Sequence, residues 1–453
     1  MASSSSVTKL VLPFFFLLAV CAYAGVSAGE PPCCYKRLFS LGDSITDAGN
    51  LAKVSPNVPA LSFPYGETFF HHPNGRFCDG RLIVDFIAEA LKLPFLTPFL
   101  AGKTAEDFRQ GVNFAVAGAT ALSQQFFKDM GLDLSIIPPF SLDVQLEWFK
   151  SVLHMLGPTE KERREIMSSS LFLLGEVGGN DYNHPFFQNR SFTAEIKPLV
   201  PKVTAKIENA TMVLIGLGAK TIVVPGNFPV GCIPRFLSMF PSNNSGDYDA
   251  FGCLRWLNDF AEEQNRALKL MLERVRRRHP TVNLIYGDYY GAVLEITRNP
   301  KKHGFRKDVA LTACCGDGGP HNSGTLFSCN PTSILCPDPS KHISWDGLHY
   351  QNTQHPPPSN ASVPFKPGAK GCISTGPQGE TSRLTGGRAA LAAGRSARAA
   401  ERAGRARAGG RIEATAAAER AAGGAQADAQ VEHSRGLAGA QAELAWAGRS
   451  RQL

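Results

Sequence analysis

Short apolar runs alternate with helical stretches between Arg37 and His349, and this alternation constrains the fold more than any other feature of the chain. Strand-like runs end at Leu41, Val116, Leu174 and Val224, and amphipathic stretches separate them. Continuous apolar strands separated by helices are typical of a parallel sheet that is covered on both faces. The sequence therefore predicts an α/β fold with a central, mostly parallel sheet.

Four short polar motifs contain the residue types that acyl transfer requires. They are Gly42-Asp43-Ser44, Gly118, Gly178-Gly179-Asn180-Asp181 and Asp346-Gly347-Leu348-His349. Three of them follow an apolar strand by one loop, and such loops share the carboxyl edge of a parallel sheet, where ligands bind. Together the motifs offer a nucleophile, oxyanion donors, an orienting acid and a base.

Each motif also has a purely structural interpretation. Ser44 is a plausible helix N-cap, and Gly118 a plausible turn glycine. Asn180 fits an Asx-type turn, and Asp346 with His349 fits a surface pair. The ordered occurrence of all four motifs favours one shared site over four unrelated turns, because the imidazole could then reach Ser44 while the carboxylate fixes its tautomer.

The motif order distinguishes this chain from three well-known serine hydrolase classes. Asp and His lie three residues apart at the end of the order Ser, Asp, His, and no Gly-x-Ser-x-Gly motif surrounds Ser44. The layout resembles the GDSL family of lipases and esterases, also called SGNH hydrolases, and most closely its secreted plant branch. The similarity extends from 37 to 349 and includes the segments 39–50, 74–81, 231–234 and 314–316, with Ile45 in place of the Leu of the name motif.

The resemblance implies a three-layer α/β/α sandwich of the SGNH, flavodoxin-like type. It implies Ser44 as nucleophile, His349 as general base and Asp346 as the residue that orients His349. Gly118, Asn180 and the Ser44 N–H would form the oxyanion hole, with no metal and no organic cofactor. We therefore expect a carboxylic ester hydrolase acting on small-molecule or polysaccharide esters: short acyl esters of carbohydrates or specialised metabolites, with lipids less favoured. The oligomeric state is not predicted.

The N-terminus resembles a secretory signal peptide over residues 1–28. Lys9 precedes an apolar run over 10–20 that is too short for a comfortable membrane span, and small-residue cleavage sites follow it. An uncleaved anchor is the alternative, and no later stretch is apolar enough to cross a bilayer. We expect a secreted protein with glycosylation candidates at Asn189, Asn209, Asn243 and Asn360, of which Asn209 is the least secure among the first three because its helix face could be buried.

The cysteines agree with an oxidising compartment. Without Cys21 in the signal segment and Cys372 near the C-terminus, nine remain, and at least one of these must stay unpaired or pair with Cys372. Cys314, Cys315, Cys329 and Cys336 crowd one segment without a His at zinc-ligand spacing. Local disulfides therefore explain this cluster better than zinc.

We expect a hydrolase domain over 29–355 and a disordered tail over 356–453 that is first Pro-rich and then rich in Ala, Arg and Gly. Residues 381–453 hold twelve Arg and six acidic residues, so most of the net charge of +8 lies in the tail. The net charge is therefore no sign of a nucleic-acid-binding surface on the hydrolase domain, and we expect no nucleic-acid partner. The family normally has a helix after its catalytic His, but after His349 this chain has Pro356-Pro357-Pro358, and three consecutive prolines exclude such a helix. The alternative function is thus an impaired or non-catalytic secreted SGNH-fold protein.

Overall fold

A six-stranded parallel sheet forms the centre of the structure. The computed structural model describes residues 35–324 and 329–351, together with the backbone of a short antiparallel pair, Lys366–Pro367 and Ile373–Ser374. The strands are β1 (Arg37–Leu41), β2 (Thr97–Pro98), β3 (Gly111–Asn113), β4 (Ser170–Leu174), β5 (Thr221–Pro225) and β6 (Asn283–Gly287). They lie in the order β2-β3-β1-β4-β5-β6, and each neighbouring pair is parallel, which confirms the predicted α/β fold.

The strand order is that of a flavodoxin-like sheet. Without the two-residue edge strand β2, the remaining strands run second, first, third, fourth and fifth in chain order. In such a sheet the connections leave in opposite directions from β1, and the crevice at that point is the usual ligand site. This switch point lies where β1, β3 and β4 end.

Alternating side chains of each strand divide the core into two layers. Phe39 on β1 and Phe172 on β4 pack with the helices on one face, whereas Leu38 and Leu171 belong to a separate cluster on the other face. Because successive strand residues point to opposite sides, nearly continuous apolar strands require cover on both faces. The result is the predicted three-layer α/β/α sandwich.

The helices cover these two faces and extend from loops at the sheet edges. They are α1 (Asn50–Val54), α2 (Ile83–Ala90), α3 (Gln124–Asp129), α4 (Leu142–Leu156), α5 (Glu160–Ser168), α6 (Gly179–Phe187), α7 (Val200–Gly216), α8 (Pro234–Met239), α9 (Arg255–Arg278) and α10 (Tyr289–Arg298). Helices α4, α7 and α9 contribute to the larger core cluster and α2 to the smaller one. No helix in the described residues is long and apolar enough to cross a membrane.

Disulfide bonds connect the late loops. The pairs are Cys232–Cys253, Cys314–Cys336 and Cys315–Cys329, so the crowded cysteine segment forms local disulfides as predicted. Two-residue strands β7 (Cys315–Gly316) and β8 (Ile334–Leu335) pair within this segment. Cys78 is buried and carries no disulfide in the described part of the chain.

Several predictions from the sequence fall outside the described residues. These are the signal segment over 1–28, Asn360, and the tail over 356–453 apart from the short antiparallel pair Lys366–Pro367 and Ile373–Ser374. Asn189, Asn209 and Asn243 are exposed, so the possible burial of Asn209 is no objection to a glycan there. Glycosylation itself stays a prediction.

Candidate active site

Ser44 lies in the turn after β1, at the carboxyl edge of the sheet. Gly42 opens this turn with a φ of +147°, and a Cβ there would lie 2.6 Å from Thr46 Oγ1, so the position requires glycine. Gln145 on α4 fixes the turn, because its Oε1 accepts the Gly42 N–H at 2.8 Å and its Nε2 donates to the Gly42 carbonyl at 2.9 Å. The carboxylate of Asp47 accepts the N–H groups at the start of α1, so Asp47 caps this helix and Ser44 does not.

Ser44, His349 and Asp346 form a continuous hydrogen-bonded chain. His349 Nε2 lies 2.8 Å from Ser44 Oγ, and His349 Nδ1 lies 2.7 Å from Asp346 Oδ2. The other carboxylate oxygen, Oδ1, accepts the backbone N–H groups of His349 at 2.8 Å and Leu348 at 3.0 Å. The structure thus brings together the first and last of the four motifs, which are 305 positions apart.

The environment of Asp346 keeps its carboxyl ionised. Burial alone would raise its pKa, but the charge and hydrogen bonds of His349 and the Leu348 N–H outweigh burial and lower the pKa below its usual value. An ionised Asp346 accepts the Nδ1–H of His349. Nε2 then carries no proton and accepts the hydrogen bond from the Ser44 hydroxyl. This is the tautomer that a general base requires.

Gly118 and Asn180 approach the nucleophile turn from β3 and β4. Gly118 has a φ of +80°. Asn180 Nδ2 donates to Asp43 Oδ2 at 3.0 Å and to the Ala119 carbonyl at 3.1 Å, and so joins the residues that precede Ser44 and follow Gly118. Within the described residues, the backbone N–H groups of Ser44 and Gly118 donate to no protein acceptor. All four sequence motifs therefore converge, with two unpaired backbone donors among them.

Comparison with known proteins identifies the family. Residues 38–356 match the family model described as GDSL-like Lipase/Acylhydrolase. The chain belongs to this family. It is 45% identical over 361 residues to a GDSL esterase/lipase of Arabidopsis thaliana, a match that covers 78% of this chain and 90% of the relative. It is 44% identical over 359 residues to the sinapine esterase of Brassica napus, with 78% and 91% covered.

The family membership and these relatives make the chain a carboxylic ester hydrolase. They do not favour the alternative of a non-catalytic SGNH-fold protein. Among solved structures, the phospholipase A1 of Streptomyces albidoflavus NA297 aligns with a TM-score of 0.29 and 11% identity over 64% of this chain and 91% of that one.

Two residues of α6 to which the sequence motifs assign no role, His184 and Asp181, hold the Gly118 loop of this GDSL protein. His184 Nε2 lies 2.9 Å from the Gly118 carbonyl, and burial lowers the pKa of His184 to about 4, so the neutral ring donates this bond. The carboxylate of Asp181 accepts the N–H groups of Ala121 at 2.7 Å and Leu122 at 2.9 Å. Asp181 lies in a selected motif, but only the fold reveals which backbone groups it contacts.

A buried carboxyl pair lies behind Asn180. Asp43 and Glu176 are 2% and 5% exposed and are hydrogen-bonded to each other through their side chains. Burial raises the pKa of both carboxyls, and the neighbouring Glu176 raises that of Asp43 further.

Aromatic side chains enclose the Asp346–His349 pair. The Tyr65 hydroxyl donates to Asp346 Oδ2 at 2.8 Å, and the Phe77 ring lies 5.2 Å from the His349 ring. Trp345 is fully buried. No local motif in the sequence points to Tyr65, because it is 281 positions before Asp346 and only the fold brings the two side chains together.

A group with metal-ligand geometry lies next to this loop but has another explanation. The Sγ atoms of Cys314 and Cys336 and a ring nitrogen of His342 lie within 4.8 Å of one another. The two sulfurs are bonded to each other as a disulfide. They therefore have no thiolate to offer a metal ion.

Proposed function

We propose that this GDSL protein is a secreted serine esterase in which Ser44 attacks the ester carbonyl and forms an acyl-enzyme. His349 accepts the Ser44 proton and passes it to the leaving alcohol, while Asp346 holds the imidazole and stabilises its charged form. A water molecule then attacks the acyl-enzyme with His349 again as base. The observation that carries this proposal is the Ser44–His349–Asp346 chain, with contacts of 2.8 Å and 2.7 Å.

The tetrahedral oxyanion would be bound by the Ser44 and Gly118 N–H groups together with Asn180. The two backbone donors support this assignment because they have no acceptor in the described part of the protein. Both Asn180 Nδ2 contacts are to protein oxygens, Asp43 Oδ2 and the Ala119 carbonyl. The amide therefore has to share or exchange one of these bonds when an oxyanion forms, as is common for catalytic contacts that tighten only with substrate.

The substrate class that we propose is a small acyl ester, of a carbohydrate, including an acetylated wall polysaccharide, or of a specialised metabolite. One relative carries the name sinapine esterase, which is consistent with esters of specialised metabolites. Long-chain lipid is less favoured, since the sequence offers no amphipathic lid. A panel of chromogenic esters with acyl chains of increasing length measures this preference directly: kcat/KM should be highest for acetate and fall with chain length.

We further propose that the protein enters the secretory pathway and carries glycans. The three disulfides of the described residues support an oxidising compartment, and Asn189, Asn209 and Asn243 are exposed acceptors. N-terminal sequencing of the protein secreted from plant cells should find cleavage before residue 29. A mass that does not change after glycan removal would refute the glycosylation proposal.

The experiment that tests the function is ester hydrolysis by the wild type and by Ser44→Ala. We expect the variant to lose activity on a chromogenic acetate ester by at least about three orders of magnitude. Full activity of Ser44→Ala would refute the assignment of the nucleophile. An inactive wild type would support the impaired alternative, in which loss of the usual helix after His349 loosens the loop; a 1 Å misplacement costs about a hundredfold.

A further inference from the structure

Residues 74–81, one of the segments that carry the family resemblance and here called the accessory motif, fold against the catalytic loop, residues 346–349. Arg76 anchors it through two hydrogen bonds to Asp85, Nε to Oδ2 at 2.9 Å and Nη2 to Oδ1 at 2.8 Å, with both side chains buried. The Gly66 N–H donates to the Cys78 carbonyl at 3.1 Å. This bond ties Tyr65 and its neighbours to the anchored motif, and the segment presents Tyr65 to Asp346.

Tyr65 is placed in a closed aromatic frame. It is 1% exposed, and its ring packs edge-on against Trp345 at 5.8 Å and Phe77 at 6.1 Å between centroids. Phe77 in turn lies against His349 at 5.2 Å. The phenol therefore has little freedom to move away from Asp346.

The hydrogen bond from Tyr65 differs from the other bonds to Asp346. The N–H groups of Leu348 and His349, and His349 Nδ1, belong to the catalytic loop itself. The Tyr65 hydroxyl comes from a remote segment and donates to Oδ2, the same oxygen that accepts the His349 Nδ1–H. Tyr65 thus links the catalytic loop to a remote segment at Asp346 Oδ2, the atom whose hydrogen bond with Nδ1–H fixes the His349 tautomer.

The hydroxyl remains a donor across the working pH range. Burial and the charge of Asp346 both raise the pKa of Tyr65 well above its usual value. The ionisable groups that face this contact are Asp346 and His349 of the catalytic loop and the Cys78 thiol, whose pKa burial raises well above its usual value, so that it is neutral. A neutral donor on Oδ2 withdraws electron density from the carboxylate and moderates its attraction for the imidazolium.

We propose that Tyr65 is a positioning residue for ester hydrolysis, whose O–H fixes the Asp346 carboxylate and sets the basicity of the Asp346–His349 pair. This inference rests on the proposed function, in which His349 is the general base. It gives a role to the accessory motif, since the anchored segment holds Tyr65 in place. It also supplies the catalytic loop with a support that does not depend on the residues after His349.

Tyr65→Phe tests the proposal, because it keeps the ring and removes only the hydroxyl. We expect kcat to fall about tenfold with little change in KM, as a hydrogen bond to a charged group is lost. Asp346 without this donor holds the imidazolium more tightly, so the acid limb of the kcat/KM profile should move to higher pH by about half a unit to one unit. The matched control is Tyr35→Phe, which removes a buried hydroxyl bonded to Thr221 at 3.3 Å and should leave the profile unchanged.

A second variant protects the test against a folding defect. Tyr65→3-fluorotyrosine keeps the hydroxyl and makes it a stronger donor, so the acid limb should move in the opposite direction, to lower pH. A purely structural role for Tyr65 predicts no such pair of opposite shifts. Unshifted acid limbs in both variants would overturn the proposal.

The downfield proton NMR resonance of the His349 Nδ1–H provides a measurement that needs no turnover. It should change its chemical shift in both Tyr65 variants and not in Tyr35→Phe. If the wild type proves inactive, the proposed function fails, yet this resonance still decides the role of Tyr65. An unchanged resonance in both variants of a folded protein would overturn the inference while leaving the esterase assignment intact.

Discussion

Substitution of Asp346 by Asn is the perturbation whose result follows most directly from the geometry. Asp346 Oδ1 accepts backbone N–H groups at 2.8 Å and 3.0 Å, and Oδ2 accepts from His349 Nδ1 and from the Tyr65 hydroxyl. An Asn side chain keeps one acceptor oxygen and replaces the other with an NH₂ donor. In either orientation the NH₂ therefore faces groups that now donate.

The two orientations differ in cost. An NH₂ at the Oδ1 position would face two backbone N–H groups that cannot change their role. At the Oδ2 position it faces His349, which can move its proton to Nε2 and accept at Nδ1. The second arrangement is therefore preferred, and Nε2–H then donates to Ser44 Oγ and cannot accept its proton.

We expect Asp346→Asn to lower kcat by about 10³–10⁴, as is seen when a triad acid is replaced so that the imidazole adopts the wrong tautomer. This corresponds to a rise of about 4–5 kcal/mol in the activation barrier. Stopped-flow hydrolysis of a chromogenic acetate ester measures kcat, and circular dichroism verifies that the variant is folded. Asp338→Asn is the control, because Asp338 is exposed and its Oδ1 accepts from Ser340 within its own turn. A folded Asp346→Asn variant within tenfold of the wild type would refute this reasoning.

Three further variants test the support of the oxyanion loop. Gly118→Ala places a Cβ 3.1 Å from Pro138 Cδ at a φ of +80°, and we expect the displaced N–H to cost about 10²–10³ in kcat, measured on the same ester. His184→Ala removes the donor to the Gly118 carbonyl and should lower kcat about tenfold. Because the His184 ring is neutral above its pKa of about 4, the pH profile of kcat should keep its shape near neutral pH. Loss of a titration step near neutral pH in the variant would contradict this. Burial raises the pKa of Asp181 to about 7, so its contribution to stability is present at low pH and lost as pH rises through about 7. Urea unfolding should therefore show the stability of the wild type relative to Asp181→Asn decreasing from about pH 4 to 7, by at most about 1.4 kcal/mol per pH unit; parallel curves would contradict the assigned pKa.

The positions of the central strands were predictable, although β3 ends at Asn113, three positions before the predicted end at Val116, and β5 ends at Pro225 rather than Val224. Ser170–Leu174 is a continuous apolar run buried on both faces, and strand β4 has these same bounds. Helix ends were harder. The sequence pattern predicts a helix over Ala205 to Gly216, whereas α7 begins five positions earlier, at Val200. Pro201 fits its first turn, because the N–H that proline lacks has no partner there in any helix. Local pattern determines such elements well, and their ends depend on turn chemistry.

The residues of the candidate site likewise fall into those that a local motif reveals and those that only the fold reveals. Ser44, Asn180 and the Asp346–His349 pair were predictable because each belongs to a local motif near a strand end or within one turn. Tyr65, His184 and Glu176 were not, because each acts through a contact with a residue that is remote in sequence: Asp346, the Gly118 carbonyl and Asp43. A buried tyrosine, histidine or glutamate has no distinctive sequence pattern until the fold supplies its partner.

Covalent labelling by a fluorophosphonate probe tests the central claim most directly, since the probe reacts with an activated serine hydroxyl. Peptide mass spectrometry should find the label on Ser44 in the wild type, strongly reduced labelling in His349→Ala, and none at this position in Ser44→Ala. Wild-type protein that is folded and remains unlabelled, or that carries the label on another serine, would contradict the proposed catalytic site.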